Sequence, residues 1–417
     1  MEHSSPEGLL RNHLESGMRR YMRIFKDMVL INSHTENAAG VNRLGDYTAK
    51  LFSQLGFTAE FVQSVVPEYG RHVALRRSGS AGVTIGCVSH LDTVFDPEEE
   101  KRNDFCWRID GDRAYGPGTN DIKGGTLVMY MMLDAMSAVL PDLFNAIDWV
   151  LLFDASEETE SDDFGELCIQ RMGSNACACL IFEGGEIEDG MYTVVVARKG
   201  RSAFKVKVEG RGAHAGTAHH QGASAILQVA DVVKIIEGMT DYPRELTCNV
   251  GILSGGSALN RVPHDAEAHI EMRAFDPEAL ENGIASIMKL QGYSSVTSAD
   301  GGYRCTTTIL QTRRNPSWPA NDDTARLFAS WEKGAHKLGM RLRPERRGGL
   351  SDGNFTWNHV PTIDGLGPVG GNCHCSERSV DGGKDQEYSL ISSLVPKTLI
   401  NIFGVLRYTA DYMKNAR

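Results

Sequence analysis

The chain has 417 residues, with 43 lysines and arginines against 54 aspartates and glutamates, which gives a formal net charge of −11. Hydrophobic residues make up 41% and charged residues 23% of the sequence, and this composition excludes an intrinsically disordered or collagen-like protein. The acidic balance argues against binding of nucleic-acid phosphates, which requires a basic surface. The length predicts two or three domains.

Cysteine usage and the apolar segments indicate a cytoplasmic location. The nine cysteines are an odd number scattered over a long chain, a pattern that suits a reducing compartment rather than a disulfide framework. The N-terminal segment has no apolar stretch of the kind that a secretory signal needs. The most apolar window, residues 126–140, contains Asp134 and is too short to span a bilayer. We therefore expect a cytoplasmic protein without membrane contact.

The first part of the chain is predicted to alternate between helices and strands. Helical periodicity covers residues 12–55, an extended run covers 72–77, short apolar strands are predicted at 83–89, 147–153 and 179–182, and a helix is predicted at 123–139. This alternation predicts an α/β layer with a mainly parallel sheet. Each of the three apolar strands is followed by side chains that can bind metal, and such groups gather beyond the carboxyl ends of the strands.

The pattern changes after residue 198. Strands are predicted at 202–209, 246–253, 266–275 and 306–312, with helices at 224–239 and 277–290. Their order is βαββαβ, which is the ferredoxin-like arrangement. We therefore predict an inserted domain at 199–314 between two parts of a catalytic domain, 1–198 and 315–417. The second part is predicted to end in a helix at 386–413.

The candidate site residues lie just after strands or in glycine-rich turns. They are His90, Asp92, Asp121, Glu157, Glu158, Glu183 and His374. Singly, each position has a structural alternative: a solvated loop around His90, a helix N-cap at Asp121, and surface acids at 157–158. Together, the two histidines and three of these carboxylates suit two divalent ions that share one carboxylate. This ligand mixture favours zinc, with manganese or cobalt as alternatives.

Nine short segments carry a resemblance to a known family. They are SHLDTV, GPGTNDIKGG, SEETES, FEGG, RKGR, GRGAHAG, SGGSALNRVP, GGLSDGNF and DGLGPVGGNCH. In this order, and over nearly the whole chain, they resemble the two-zinc exopeptidase and deacylase family. That family includes glutamate carboxypeptidase, aminoacylase, acetylornithine deacetylase and succinyl-diaminopimelate desuccinylase, and the chain looks most like the glutamate carboxypeptidase branch. The resemblance implies a zinc-hydrolase catalytic domain with an inserted lid and dimerisation domain, in a homodimer.

The same resemblance implies five metal ligands and a bridged pair of zinc ions. His90 and Glu183 would bind one ion, Glu158 and His374 would bind the other, and Asp121 would bridge them. In this family, the peptide bond after the bridging aspartate is often cis.

Three further residues receive catalytic roles by similarity. Asp92 would orient His90. Glu157 would be the general base that takes a proton from the bridging water and passes it to the leaving nitrogen. His214 matches a histidine that reaches into the active site of the partner subunit and stabilises the oxyanion.

Four residues are similar to substrate-binding positions. Asn260 and Arg273 resemble residues that hold the α-carboxylate of the substrate, and a guanidinium can pair with a carboxylate through two hydrogen bonds. Gly349 and Ser351 match the loop that lines the substrate pocket. Glu183 stands where dipeptidase-like relatives usually carry aspartate, which favours the carboxypeptidase and deacylase branches.

The resemblance therefore predicts a zinc-dependent hydrolase that cleaves an amide next to a free carboxylate. Its substrate would be a small molecule or short peptide, and it would release a C-terminal, acidic amino acid. The first alternative is an N-acyl amino acid deacylase that acts on acetyl or succinyl substrates. The second is a non-catalytic relative that keeps the fold as a metal-binding protein.

The segment around His374 departs from the family pattern. Relatives usually place an acid four or more residues after the last histidine ligand, whereas here Glu377 follows three residues after it and Arg378 occupies the fourth position. Cys373 and Cys375 flank the histidine. We interpret these cysteines as packing residues, with oxidation sites or a metal-ligating thiolate as alternatives.

Overall fold

The computed structural model describes residues 5–159 and 162–415. The chain divides into two compact units. The first comprises the described residues of Met1–Val196, Ala320–Arg346 and Ser351–Arg417, and the second comprises Ala197–Pro319 and Arg347–Leu350. The sequence placed the domain borders at 198/199 and 314/315. The short segment Arg347–Leu350, however, belongs to the second unit, whereas the sequence placed it in the second part of the catalytic domain.

The helices are, in chain order, α1 Pro6–Val29, α2 Ala38–Ser53, α3 Pro97–Arg102, α4 Lys123–Val139, α5 Pro141–Ala146, α6 Asp162–Met172, α7 Ala225–Glu237, α8 Pro277–Met288, α9 Asp322–Lys337, α10 Gly353–Thr356 and α11 Ile391–Asn415. Within the described parts of the chain, none of these helices is long and apolar enough to cross a membrane.

The strands are β1 Thr58–Gln63, β2 Arg71–Arg77, β3 Val83–His90, β4 Arg108–Asp110, β5 Arg113–Tyr115, β6 Ile147–Asp154, β7 Ala176–Ile181, β8 Ile187–Glu188, β9 Met191–Arg198, β10 Gly200–Glu209, β11 Thr247–Gly255, β12 Asp265–Ala274, β13 Thr306–Asn315, β14 Leu342–Arg347, β15 Thr362–Ile363, β16 Gly370–Gly371 and β17 Tyr388–Leu390.

The first unit is built on a sheet with the strand order β1-β2-β6-β3-β7-β15. The pairs β6–β3, β3–β7 and β7–β15 are parallel, and β1–β2 and β2–β6 are antiparallel. Both faces of the sheet are covered: along β3, Cys87 belongs to the large core that includes α1, α4 and α11, and Val88 to the smaller core under α6. This two-sided burial explains why β3 is mainly apolar, and it confirms the predicted α/β layer.

Two helix predictions in the first unit need correction. The helical pattern over 12–55 forms two helices, because α1 ends at Val29 and the side chain of Asn37 starts α2 by accepting a hydrogen bond from the Gly40 amide at 3.1 Å. The last helix begins at Ile391 and not at 386, because Tyr388–Leu390 is a strand that pairs with β5.

The second unit has the predicted βαββαβ order, β10-α7-β11-β12-α8-β13. Its antiparallel sheet has the strand order β11-β12-β10-β13. Alternate residues of β10, namely Phe204, Val206 and Val208, pack in one core with buried residues of α7 and α8, so one face of this sheet is covered by helices. Strand β13 continues to Asn315, beyond its predicted end at 312.

Candidate metal centre

The candidate ligands of the first unit lie at the carboxyl ends of its parallel strands. His90 is the last residue of β3, and Glu183 follows β7. Glu157 and Glu158 form a short 3-10 turn after β6. Since β6, β3 and β7 are neighbouring parallel strands, their ends meet at one edge of the sheet.

Two loops complete the site. Asp121 precedes α4, and the peptide bond between Asp121 and Ile122 is cis. A side chain at Gly125 would collide with the carbonyl oxygen of Phe182, so glycine lets the first turn of α4 approach the end of β7. His374 follows β16 in a turn where it adopts a left-handed conformation, with φ of 64°.

The five predicted ligands form two groups that share Asp121: His90, Asp121 and Glu183 in one, and Asp121, Glu158 and His374 in the other. Within each group, one nitrogen or oxygen atom from each residue lies within 4.8 Å of the others. His90 Nε2 is 3.0 Å from Asp121 Oδ1, and His374 Nε2 is 3.3 Å from Asp121 Oδ2 and 3.2 Å from Glu158 Oε2. The two oxygens of Asp121 therefore face different histidines, as a bridging carboxylate requires.

The pKa values of these groups show an excess of buried negative charge. Hydrogen bonds with Asp121 and Glu158 raise the pKa of His374 to about 10. Burial would lower the pKa of His90, but its contacts with Asp121 and Asp92 raise it well above the usual range. Burial, together with the charge of Asp121, raises the pKa of Glu158 to about 7. Carboxylates thus lie beside both imidazoles, as they would if these side chains bound the same cations.

The donor set fits divalent metal ions. Glu158 Oε1 is buried and has no hydrogen-bond partner among the described residues. A buried carboxylate oxygen without a partner is costly, and a bound cation would supply one. Imidazole nitrogens and carboxylate oxygens are the ligands that zinc accepts, and manganese or cobalt can use the same set.

Asp92 contacts both His90 and the turn that carries Glu157 and Glu158. His90 Nδ1 is 3.0 Å from the backbone oxygen of Asp92 and 3.4 Å from its Oδ1. The same carboxylate accepts hydrogen bonds from the backbone amides of Glu157 at 3.0 Å and Glu158 at 3.2 Å, and from the Thr35 hydroxyl at 2.7 Å. The sequence suggested only the contact with the histidine, because the turn at 157–158 is distant along the chain.

Glu157 lies beside the two metal-ligand groups. Burial raises the pKa of Glu157 well above its usual value, and the charges of Glu183, Glu158 and Asp352 act in the same direction, while His90 opposes them. A carboxylate in such surroundings binds a proton readily, which is the property that a general base needs.

Sequence reasoning missed Glu387. This buried residue accepts hydrogen bonds at Oε1 from the backbone amides of Asn120 at 2.8 Å and Asp121 at 3.1 Å. It stands 13 residues after His374 in the sequence. Glu377, the acid that the sequence singled out, is instead exposed and pairs with Lys384. The acid that supports the bridging aspartate is therefore separated from the last histidine by an intervening loop.

The cysteines beside His374 do not join the ligand groups of the described residues. Cys373 Sγ accepts a hydrogen bond from Asn120 Nδ2 at 3.1 Å. Burial, together with the charges of Asp121 and Glu387, raises the pKa of the Cys373 thiol. A thiol that stays protonated is a poor metal ligand, which argues against Cys373 as a metal-ligating thiolate.

His214 and Asn260 lie close together in the second unit, where Ala215 N donates to the backbone oxygen of Asn260 at 2.9 Å. The His214 side chain is exposed, and its Nδ1 accepts hydrogen bonds from the backbone amides of Gly216 and Thr217, both at 3.1 Å. A ring nitrogen that accepts two hydrogen bonds carries no proton, so the proton of the imidazole is on Nε2. His214 can therefore act as a hydrogen-bond donor.

The remaining predicted substrate residues already have protein partners. Arg273 donates from Nε to Glu271 at 2.6 Å and from Nη1 to the Gly348 carbonyl at 2.8 Å. The Gly349 carbonyl accepts from Arg198 Nη1 at 3.1 Å. In the first unit, the buried Ser351 hydroxyl donates to Asp364 at 2.8 Å. A role of these residues in substrate binding stays a prediction.

The chain is similar to known proteins, both in one domain and over most of its length. Residues 196–293 match the family model of the M20-type peptidase dimerisation domain. Carboxypeptidase G2 of Pseudomonas sp. (strain RS-16) is 25% identical over 358 residues, which cover 85% of this chain and 82% of that protein. The chain carries an M20 peptidase dimerisation domain and is a homologue of M20 metallopeptidases. The predicted resemblance is thereby confirmed.

Other M20 homologues differ in activity. Acetylornithine deacetylase of Salmonella arizonae is 29% identical over 284 residues, covering 63% of this chain and 70% of that protein. Two solved structures share the fold. A Staphylococcus aureus tripeptidase superimposes with a TM-score of 0.73 at 21% identity, over 94% of this chain and 99% of that one. A dinuclear metal-binding M20 peptidase of Bacillus subtilis gives 0.63 at 14% identity, over 94% and 98%. The homologues support a hydrolase, and the solved structures show the shared fold.

Proposed function

We propose that the protein is a two-zinc hydrolase that cleaves an amide next to a free carboxylate and releases a C-terminal, acidic amino acid. The main support is the group of two histidines and three carboxylates around Asp121, with Glu157 beside them. The homology with carboxypeptidase G2 supports release of a C-terminal residue. His90 and Glu183 would hold one ion, and Glu158 and His374 the other.

The roles of the residues in the proposed reaction follow from their positions. Two divalent ions bound there would polarise the scissile carbonyl and lower the pKa of water. Glu157 accepts the proton of the attacking water and later donates it to the leaving nitrogen. Asp92 keeps Glu157 in place through the backbone amide of that residue.

His214 would act in the partner subunit of a homodimer. Its proton on Nε2 suits donation to the oxyanion that forms at the attacked carbonyl. Asn260 and Arg273 would hold the substrate carboxylate, and Gly349 and Ser351 would line the pocket. The dimer rests on the M20 dimerisation domain. All nine cysteines are free, which supports a cytoplasmic location.

The first test is hydrolysis of a substrate panel by zinc- or cobalt-loaded protein, measured as released amino acid. The panel contains N-benzoyl and folyl-type glutamates, plain dipeptides, N-acetyl amino acids, N-acetylornithine and N-succinyl-diaminopimelate. We expect preference for the acylated glutamates. No hydrolysis of any compound by protein that binds two metal ions per chain would contradict the proposal and favour a non-catalytic relative.

An N-acyl amino acid deacylase is the second candidate. The specific support is the acetylornithine deacetylase homologue, whose identity of 29% covers 63% of this chain. The ligands and Glu157 would keep their roles, and only the recognised part of the substrate would differ. Preference for acetyl or succinyl substrates in the same panel would establish this alternative.

The general-base role is tested by Glu157→Gln. We expect this variant to keep its metal ions and to lose about 10²- to 10⁴-fold in kcat, because the amide cannot accept the proton. Metal content is measured by elemental analysis, and Glu166→Gln, on the exposed side of α6, is the control. Near-wild-type turnover of the Glu157→Gln variant would refute the assignment.

A further inference from the structure

A short buried segment connects β6 to the turn that carries Glu157 and Glu158. It consists of Ala155 and Ser156, and both side chains are buried. Because the turn follows this segment directly, the position of the segment decides where the carboxylate of Glu157 lies relative to the candidate metal ligands. The groups that hold the segment therefore control the position of the proposed general base.

Four consecutive backbone amides, beginning at Ala155, each lie within hydrogen-bonding distance of a side chain. The first is 3.1 Å from Nδ1 of His72, and the second, that of Ser156, donates to Asp154 Oδ1 at 2.9 Å. The last two, in the turn itself, donate to Asp92 at 3.0 and 3.2 Å. The region is thus fixed at its start by His72 and Asp154 and at its end by Asp92.

The ring of His72 is itself fixed by contacts on its other side. Its Nε2 is 3.1 Å from Asp163 Oδ2 on α6, and the same oxygen accepts a hydrogen bond from the Val65 amide at 2.8 Å. The ring also lies against Phe164, with 5.2 Å between the ring centroids. Since a closely packed ring cannot change its rotamer without losing these partners, it is a fixed point against which the segment is held.

Nδ1 of His72 lies between a hydrogen-bond donor and an acceptor. It is 3.1 Å from the Ala155 amide and 3.2 Å from Asp154 Oδ1. In the neutral ring it accepts from the amide, and in the cation it donates to the carboxylate. Nε2 carries a proton in both forms and donates to Asp163. The ring therefore makes one hydrogen bond to β6 or to the segment that follows it, whatever its charge.

His72 holds the segment without belonging to the metal centre. Neither metal-ligand group of the described residues contains His72, Asp154 or Asp163. A displaced segment would affect the two glutamates of the turn differently: Glu158 is in one of the ligand groups, so a bound ion would hold its carboxylate, whereas Glu157 is in neither. The loss of the His72 contact should therefore affect the general base more than metal binding.

We propose that His72 is a positioning residue for the general base Glu157. Through Nδ1 it fixes the segment 155–156, and this segment fixes the turn that carries Glu157. The inference rests on the proposed function, because it gives His72 a part in the reaction of that site. A displacement of a catalytic group by about 1 Å can lower turnover about 10²-fold, so a hydrogen bond remote from the substrate can matter for kcat.

The test compares two substitutions in the zinc-loaded full-length protein. His72→Asn places an amide at about the position of Nδ1, where it can accept from Ala155 or donate to Asp154. His72→Gln places its amide at about the position of Nε2, where it can contact only Asp163. We expect His72→Gln to lower kcat about 10- to 100-fold, with KM changed less than about twofold and both metal ions retained. We expect His72→Asn to keep most of the wild-type kcat.

Hydrogen–deuterium exchange with residue resolution measures the same role without a substrate. In the wild type, the amides of Ala155 and Ser156 should exchange as slowly as those of the turn that follows them. His72→Gln should accelerate their exchange at least about tenfold, because the segment loses its contact with Nδ1. His72→Asn should leave their exchange close to that of the wild type.

His13→Gln is the matched control. His13 is half-buried in the same unit and also contacts an aspartate through Nε2, at 2.8 Å from Asp134 Oδ2, but this contact joins α1 to α4. The control loses a histidine that has a similar partner and should change neither kcat nor the exchange of the amides at 155–156.

Three results would overturn the proposal. They are wild-type kcat in the His72→Gln variant, an equal loss of kcat in His72→Asn and His72→Gln, and fast exchange of the amides at 155–156 in the wild type. The second result would mean that the ring acts only by filling space. The third measurement needs no variant, so it holds even if His72→Gln does not fold. If no compound of the panel is hydrolysed, the proposed function fails, whereas the exchange data still decide whether His72 fixes the segment.

Discussion

Glu387 shows that an acidic side chain can serve the candidate metal centre without being a ligand. Its Oε1 accepts the backbone amides of Asn120 and Asp121, and burial raises its pKa to about 8, together with the charge of Asp121. Because both amides belong to the turn that carries the bridging carboxylate, Glu387 fixes where Asp121 points.

Removal of Glu387 should therefore weaken metal binding. We expect Glu387→Ala to lower metal affinity about 10- to 100-fold, since residues that orient ligands have effects of this size. The measurement is competition with a chromophoric chelator. Glu377→Ala removes an equal charge from the same loop, where Glu377 pairs with Lys384 at the surface, and should leave the affinity unchanged. Equal affinities of the two variants would contradict this role.

Side chains that belong to a local motif could be predicted from the sequence, and their long-range partners could not. His90 and Asp121 stand in segments whose strand end or glycine-rich turn already indicates a site. Glu387 is fixed only by tertiary contact with a turn more than 250 residues away, and no local pattern marks it. The hydrogen bonds from the backbone amides of residues 157 and 158 to Asp92 could not be predicted for the same reason.

His72 connects three secondary-structure elements of the first unit. Its ring lies 1% exposed between Asp154 at the end of β6 and Asp163 on α6, with Nδ1 3.2 Å from Asp154 Oδ1 and Nε2 3.1 Å from Asp163 Oδ2. Burial would lower the pKa of His72, but the two carboxylates raise it to about 10. Residue 72 itself belongs to β2, so the ring links β2, β6 and α6 just before the turn that carries Glu157.

This link predicts how stability depends on pH. A histidine whose pKa is raised in the folded state stabilises fully below its unfolded value of about 6.5, and the contribution is lost as the pH rises towards about 10. The free energy of unfolding should fall over this window by at most about 1.4 kcal/mol per pH unit, the limit for one proton. His72→Gln should abolish that part of the slope.

The measurement is urea unfolding of the metal-free protein at several pH values between 6.5 and 10, for the wild type and His72→Gln. His264→Gln is the control, because His264 also neighbours an aspartate, at 3.1 Å, but is exposed. A neutral His72 would instead accept the amide of Ala155, which lies 3.1 Å from Nδ1. Equal slopes for the wild type and His72→Gln would show that the ring is neutral.

The sequence predicted the elements wherever periodicity and burial agree. Strand β3 is buried on both faces and is mainly apolar, so its place was evident. The break between α1 and α2 was missed, because a capping residue such as Asn37 interrupts a helix without changing its apolar periodicity. Strand β17 was assigned to the following helix, since only its pairing with β5 distinguishes it.

The sheet of the second unit has an edge strand that suits association with another copy of the chain. Strand β11 is at one edge of its sheet, and Ile252 and Leu253 on it are 58% and 54% exposed. Exposed apolar side chains on an edge strand favour pairing with another chain. The M20 dimerisation domain, which spans residues 196–293, includes this strand.

We therefore expect Leu253→Lys to weaken the proposed homodimer at least about tenfold, because it would place a charge in an apolar contact. Sedimentation velocity over a concentration series measures the dissociation constant. Leu310→Lys is the matched control: Leu310 is 55% exposed on β13, at the opposite edge of the same sheet. Dimers of equal strength in the Leu253→Lys variant would place the interface elsewhere.

Association also predicts that two inactive proteins complement each other. His214→Ala alone should lower kcat about 10²- to 10³-fold, the usual cost of one oxyanion donor. In a mixed dimer with Glu157→Gln, the His214→Ala subunit keeps its own Glu157 and receives His214 from its partner, which makes one complete site. When the two proteins are combined in equal amounts, half of the dimers contain one subunit of each kind, so activity should return to about a quarter of the wild type.

Adding Leu253→Lys to both proteins should remove that activity, whereas adding Leu310→Lys should not. If the mixture stays inactive although mixed dimers form, His214 serves its own subunit, and the active site is complete within one chain.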